Sequence, residues 1–277
     1  MRSLKYPLLD AIRGIPAVSL LTLVLAFRRP RTLHLMLADT WQAFKKHAGL
    51  RIPAITPWEL LNYTGVVTLK LGENGLYAAK EPNFLAMQIA AMLRPGRIFE
   101  IGTSQGRTTC LLAMNTPETT HIFTLDLPPD EPLPGQVTDL HLIELARREL
   151  GCAFHNTSWQ SRITQLLGNS ATFDYSPYYD SIDLVLVDGS HSYPFVLRDT
   201  LNAFRMIRPG GVILWHDYES MRTEYGVTRV VNGLRKRHGL PTYRLSRPES
   251  DTRYAVLRVD EAGKRKGVAL AENPAGM

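Results

Sequence analysis

The run Glu100-Ile101-Gly102-Thr103-Ser104-Gln105-Gly106 places a carboxylate and two glycines within seven residues. Glycine at 102 and 106 lets the backbone turn sharply and come close to a ligand, beside what reads as a helix N-terminus. The spacing is G-x-x-x-G, neither the G-x-G-x-x-G of dinucleotide sites nor a phosphate loop ending in Gly-Lys-Ser/Thr. Glu100 sharpens the reading, because a carboxylate there would repel a pyrophosphate and tolerate a cationic cofactor. Asp126 follows about twenty residues later, the distance at which an acidic side chain can accept both ribose hydroxyls of an adenosine cofactor; an Asp there can also cap a turn. Gly168-Asn169-Ser170 offers short polar groups to an adenine edge. Asp188, His191, His216 and Asp217 add two carboxylates and two imidazoles. A histidine near its ordinary pKa can take a proton from a hydroxyl, so His191 or His216 could serve as general base.

These residues need elements that bring them together, and the chain supplies a regular alternation. Strand patterns at 97–101, 121–126, 163–167, 182–188 and 212–215 are separated by helical patterns at 107–115, about 137–150 and about 193–207. Such alternation predicts a doubly wound α/β fold with a mostly parallel sheet covered on both faces. A helix over about 227–238 then leads to strands 242–245 and 254–257. Their connection is too short for a parallel crossover, so they close the sheet as an antiparallel hairpin and bring the count to seven. Ligands of such sheets bind beyond the carboxyl ends of the strands, and every residue singled out above lies at such an end.

In combination, E-I-G-T-S-Q-G-R-T-T (100–109), L-D (125–126), G-N-S (168–170), V-D-G-S-H-S-Y (187–193) and P-G-G-V-I-L-W-H-D-Y (209–218) resemble the class I methyltransferases of family 24, relatives of macrocin-type sugar O-methyltransferases. The resemblance covers about residues 80–259. It implies S-adenosylmethionine as cofactor, surrounded by Glu100, Gly102, Thr103, Ser104, Gly106, Asp126, Asn169, Ser170 and Asp188. It also implies O-methylation of a small-molecule hydroxyl, with Asp188, His191 and His216 as the catalytic group. The family usually carries an acid where Asn169 stands, so the adenine contact differs here. Relatives that use Mg²⁺ hold it with acids matching Asp188 and Asp217, and this chain offers His216 as the third ligand. Magnesium prefers oxygen, so an imidazole favours a softer ion such as Mn²⁺. Metal-assisted and metal-free routes therefore both stay open, as does a hydroxylase-like relative on the same scaffold.

Composition narrows the partners. The net charge is +6, yet residues 1–60 hold nine Lys/Arg against three Asp/Glu while the remaining 217 residues are balanced, with 23 of each sign. The catalytic region thus has no basic excess for a phosphate backbone, which argues against nucleic acid. Two cysteines without a C-x-x-C pair disfavour a disulfide framework and suit a reducing, cytoplasmic setting. Ile15–Phe27 is an apolar run of 13 residues flanked by Arg13, Arg28, Arg29 and Arg31, short of the about 20 needed to span a bilayer. Two readings fit it: a helix buried against the domain or a homodimer partner, and an interfacial helix at the inner membrane face, with residues 1–31 as the contact. The sequence accordingly divides into an N-terminal helical extension (1–80), a catalytic domain (81–260) and a flexible polar tail (261–277).

Overall fold

A computed structural model describes residues 52–71, 81–131, 149–219, 226–247 and 250–274. The apolar run 15–27, the helical patterns at 32–46 and most of 137–150, and the turn at 72–75 lie outside these residues. Among the described residues, no helix is long and apolar enough to cross a membrane.

The strands are β1 (Ala54–Ile55), β2 (Arg97–Ile101), β3 (His121–Asp126), β4 (Ile163–Leu167), β5 (Ile182–Val187), β6 (Ile207–Trp215), β7 (Tyr243–Arg247) and β8 (Ser250–Arg258). They form one sheet in the order β1-β7-β8-β6-β5-β2-β3-β4. Pairing is parallel from β6 through β5, β2, β3 to β4, and antiparallel for β6–β8 and β7–β8. The expected doubly wound sheet with a closing hairpin is thus present, with eight strands rather than seven. The eighth is the two-residue β1, which pairs parallel with β7 and is followed by α1 (Pro57–Leu61). The predicted capping box is formed: the Thr56 hydroxyl accepts from the Glu59 N–H at 3.3 Å and Glu59 accepts from the Thr56 N–H at 2.8 Å. The sheet therefore takes in chain that precedes residue 81. β6 also starts early, because Arg208-Pro209-Gly210-Gly211, read as a turn, is carried within the strand.

Helices α2 (Glu81–Leu93), α3 (Arg107–Met114), α4 (Tyr193–Met206) and α5 (Gly226–Lys236) complete the alternation. β5 shows why its sequence is apolar apart from Asp183: Ile182, Val185 and Val187 enter one core cluster with Phe204 and Val230, while Leu184 and Leu186 enter the other with Leu85 and Leu111. A strand buried on both faces has no polar side to present.

The expected flexible tail is corrected by the structure. Residues Glu261–Glu272 form a helix, α6, capped by Asp260, which accepts from the Gly263 N–H at 2.6 Å. Its anchor is Lys264, whose ammonium donates to the carbonyls of Phe204, Arg205 and Ile207 at 2.7–2.9 Å, with Asp180 also at 2.6 Å. Carbonyls at the end of α4 lack helical partners and carry partial negative charge, so one buried cation satisfies several. The polar composition of 261–277 concealed this, because the anchoring residue is itself polar. Replacing Lys264 by Met should cost about 1.5–3 kcal/mol, the worth of hydrogen bonds to a charged donor, read as a lower urea midpoint with an unchanged slope.

Candidate active site

The carboxyl ends of β2, β3, β4, β5 and β6 carry every residue picked out from the sequence. At the end of β2 the chain passes through left-handed backbone at Gly102 (φ 105°), Ser104 (φ 49°) and Gly106 (φ 77°) before α3 begins. Gly102 is required twice over. Its φ is one that L-residues avoid, and a Cβ there would lie 2.1 Å from the Asp188 carbonyl oxygen. The Gly102 N–H donates to Leu125 O at 2.8 Å and the Asp188 N–H to Ile101 O at 2.8 Å, so this loop is stitched to both neighbouring strand ends.

Asp126 holds the loop from the β3 side. One carboxylate oxygen accepts from the Ser104 N–H and the other from the Leu127 N–H, each at 2.7 Å. A carboxylate oxygen can accept more than one hydrogen bond, so this tether is compatible with accepting a hydroxyl. The Thr103 side chain is buried and its hydroxyl pairs with that of Thr124 at 2.7 Å, which leaves only the Thr103 backbone at the loop surface.

Glu100 differs from the sequence picture of a charged group facing a cation. It is 1 % exposed and accepts from the Thr109 and Thr124 hydroxyls. Burial pushes its carboxyl up to about 8 against the pull of these two hydrogen bonds, with Asp188 and Asp126 adding to the rise. Near neutral pH it is a protonated acid that ties β2 to β3 and α3.

After β4, Asn169 builds its own turn: its side-chain oxygen accepts from the Ala171 N–H at 3.0 Å and its carbonyl from the Thr172 and Phe173 N–H groups. The Tyr175 hydroxyl donates to Ser170 O at 3.2 Å.

The four acceptor-side residues do come together. His216 Nδ1 lies 2.8 Å from Asp188 and 3.7 Å from Asp217, and His191 Nε2 lies 3.1 Å from Asp217. Consecutive strand residues face opposite ways, but Asp217 has left-handed backbone (φ 55°), which turns it to the same side as His216. His191 is placed from two directions: the next residue, Ser192, stands at the N-terminal boundary of α4, and Gly226 at the start of α5 is close enough that a Cβ would meet His191 O at 2.1 Å. Gly226 was not legible as a site residue, since nothing local distinguishes it from any other helix glycine.

Burial opposes protonation of His216, but the charge and hydrogen bond of Asp188, joined by Asp217, outweigh burial and the nearby His191, so its pKa is raised. His216 Nδ1 thus stands between two carboxylates, 2.8 Å from Asp188 and 3.7 Å from Asp217. Among the described residues no group of three or more His, Cys, Asp or Glu is arranged to hold a metal ion.

The sheet order, the glycine loop after the central strand β2 and the acidic residue at the end of β3 are the arrangement that the sequence resemblance implies. Residues 99–218 match the model of a methyltransferase domain family, which identifies that segment as the domain the motifs pointed to. No curated protein matches the chain. Among solved structures, the O-methyltransferase TomG from Streptomyces achromogenes is 18 % identical over 64 % of this chain and 79 % of its own, with a TM-score of 0.43. Cofactor-bound Rv0187 from MTB is 20 % identical over 66 % and 81 %, TM-score 0.45, and a methyltransferase from Geobacter sulfurreducens 14 % over 65 % and 79 %, TM-score 0.44.

Glu100 leads to a direct test. The folded state keeps a proton on it between about 4.5 and about 8 that the unfolded chain has released. Its contribution is therefore complete below the lower value and lost as pH rises through the upper one. Stability of the wild type should fall from pH 5 to pH 9, and Glu100→Gln, which mimics the protonated acid, should flatten that fall. Urea midpoints measured across the range with equal slopes for both proteins would contradict the assignment.

Proposed function

We propose that this protein transfers the methyl group of S-adenosylmethionine to a hydroxyl of a small molecule, with His191 as general base and without a metal. The observation that carries the reading is the juxtaposition of the glycine–Asp126 cradle with the His191–Asp217 and His216–Asp188 pairs, locked together at Gly102 against the Asp188 carbonyl. When bound, the cofactor supplies an electrophilic methyl on a sulfonium. Gly102, Ser104 and Gly106 would admit it closely, Asp126 would accept its ribose hydroxyls, and the loop at Asn169 and Ser170 would meet the adenine.

The chain's own contribution is orientation and proton handling. Asp217 beside His191 Nε2 favours the tautomer with its proton there, which leaves the basic lone pair on Nδ1. That nitrogen takes the acceptor proton as the oxygen attacks the methyl in line, and Asp217 stabilises the imidazolium formed. His216, set between Asp188 and Asp217, is engaged with both carboxylates and serves to orient them. Holding donor and acceptor in line accounts for up to about 7–11 kcal/mol in well-oriented systems, and proton transfer for about 10²–10⁴-fold.

Calorimetric titration with S-adenosylmethionine, S-adenosylhomocysteine and NAD⁺ tests the cofactor. Micromolar binding of the first two, none of NAD⁺, and loss of binding in Asp126→Ala are expected; silence from both adenosyl ligands would sink the reading. Once an acceptor is in hand, His191→Ala should lower kcat about 10²–10⁴-fold with the cofactor Kd unchanged. Turnover should survive EDTA, and activity restored only by Mg²⁺ or Mn²⁺ would refute the metal-free route.

A further inference from the structure

We infer that residues 149–154 form a brace that sets the shape of the cofactor loop, with Phe154 as a positioning residue for S-adenosylmethionine. The inference rests on the cofactor assignment above and adds residues outside both the glycine–Asp126 cradle and the acid–histidine cluster. The loop after β2 is held from the β3 end by Asp126 and from the β5 end by the contact at Gly102. A third attachment comes from the segment 149–154. The Gly151 N–H donates to Ser104 O and the Ala153 N–H to Gln105 O, each at 2.9 Å, and the Gln105 side-chain amide donates to the Glu149 carboxylate. Two consecutive carbonyls of the loop are thus taken by alternate amides of one turn.

Phe154 closes this arrangement. It is buried in the core cluster that holds Cys110, Leu111 and Ile163. Its ring also lies against the backbone of two glycines: a Cβ on Gly106 would fall 2.5 Å from Phe154 Cδ1, and one on Gly151 would fall 2.7 Å from its Cζ. The Cβ on Gly106 would in addition lie 3.2 Å from Gly151 Cα, so loop and brace approach each other with no side chain between them. Both glycines have left-handed backbone, with φ 77° at Gly106 and 70° at Gly151. Gln165 on β4 backs Gly151, its Nε2 and Oε1 each 3.0 Å from where a Cβ would stand. A loop with left-handed backbone at Gly102, Ser104 and Gly106 has many other shapes open to it when free, because glycine restricts none of them. The core ring and the two amides remove those shapes before a ligand arrives, so the ordering cost does not come out of the binding free energy.

The test uses the full-length protein, Phe154→Ala, Phe154→Leu, and Val231→Ala as a control in the other core cluster. Both alanine variants lose stability, but only Phe154→Ala should bind S-adenosylhomocysteine more weakly, by about tenfold, the size of a typical coupling between sites. Phe154→Leu, which keeps an apolar group against both glycines, should recover most of that loss. With an acceptor in hand, KM for S-adenosylmethionine should rise about tenfold in Phe154→Ala while kcat at saturation stays within about twofold. Because coupling is reciprocal, saturating S-adenosylhomocysteine should slow amide exchange at Gly151 and Ala153 of the wild type about tenfold, although neither lies in the cradle. An unchanged Kd in folded Phe154→Ala, or an equal loss in Val231→Ala, would overturn the inference. So would ligand binding that leaves the Gly151 and Ala153 amides unprotected, a result the wild type gives even where Phe154→Ala does not fold. If the wild type binds no adenosyl ligand, the cofactor reading fails; faster exchange at Ser104 and Gly106 in ligand-free Phe154→Ala then still decides whether the brace shapes the loop.

Discussion

The arrangement of this site depends on one steric contact, that of Gly102 against the carbonyl oxygen of Asp188. The Cα of residue 102 sits where any Cβ would fall 2.1 Å from that oxygen, and the backbone there has φ 105°. The contact lets the loop after β2 tuck under the loop after β5, while the Asp188 N–H closes on Ile101 O and the His216 N–H on Val187 O. Three adjacent strand ends thereby become one surface. The cradle for a cofactor and the pair of imidazole–carboxylate contacts are parts of that single surface. A larger residue at 102 would drive the two halves apart, and donor and acceptor would lose the alignment on which transfer depends.

Around that contact the protein handles an excess of acid. Glu100, Asp126, Asp188 and Asp217 crowd the carboxyl ends of β2, β3, β5 and β6, and Asp199 is buried in α4 nearby. Two different devices keep this affordable. Glu100 and Asp199, wholly buried, have raised pKa values, so the charged form is suppressed where solvation is poorest. Asp188 and Asp217, partly exposed, instead face His216 at 2.8 and 3.7 Å. Burial lowers the pKa of that histidine, and the two carboxylates raise it by more.

The order of β2 to β6 and the closing hairpin could be read from alternation and connection length, since a strand buried on both faces is continuously apolar and a short link forces antiparallel pairing. Glu100, Gly102, Asp126 and Asp188 could be read because they end strands. The misses have a common cause in contacts between chain segments far apart in sequence. β1 is two residues long, too short to show a period, and exists only because β7 lies beside it. α6 was taken for a frayed tail because its anchor, Lys264, looks like a surface residue until the carbonyls of α4 surround it. The burial that neutralises Glu100, and the closeness of Gly226 to His191, likewise have no local signature.

Asp217 shows how such a site departs from strand periodicity. By alternation His216 and Asp217 should face opposite sides of the sheet, and only one could join Asp188. The left-handed backbone at Asp217, two residues beyond the end of β6, breaks the alternation, so both neighbours face the same side. Asp tolerates that conformation better than most residues because its short side chain relieves it locally. The same turn sets Asp217 beside His191, and one carboxylate then contacts both imidazoles. A residue in left-handed backbone just past a strand end is therefore the junction between the two histidine–carboxylate contacts.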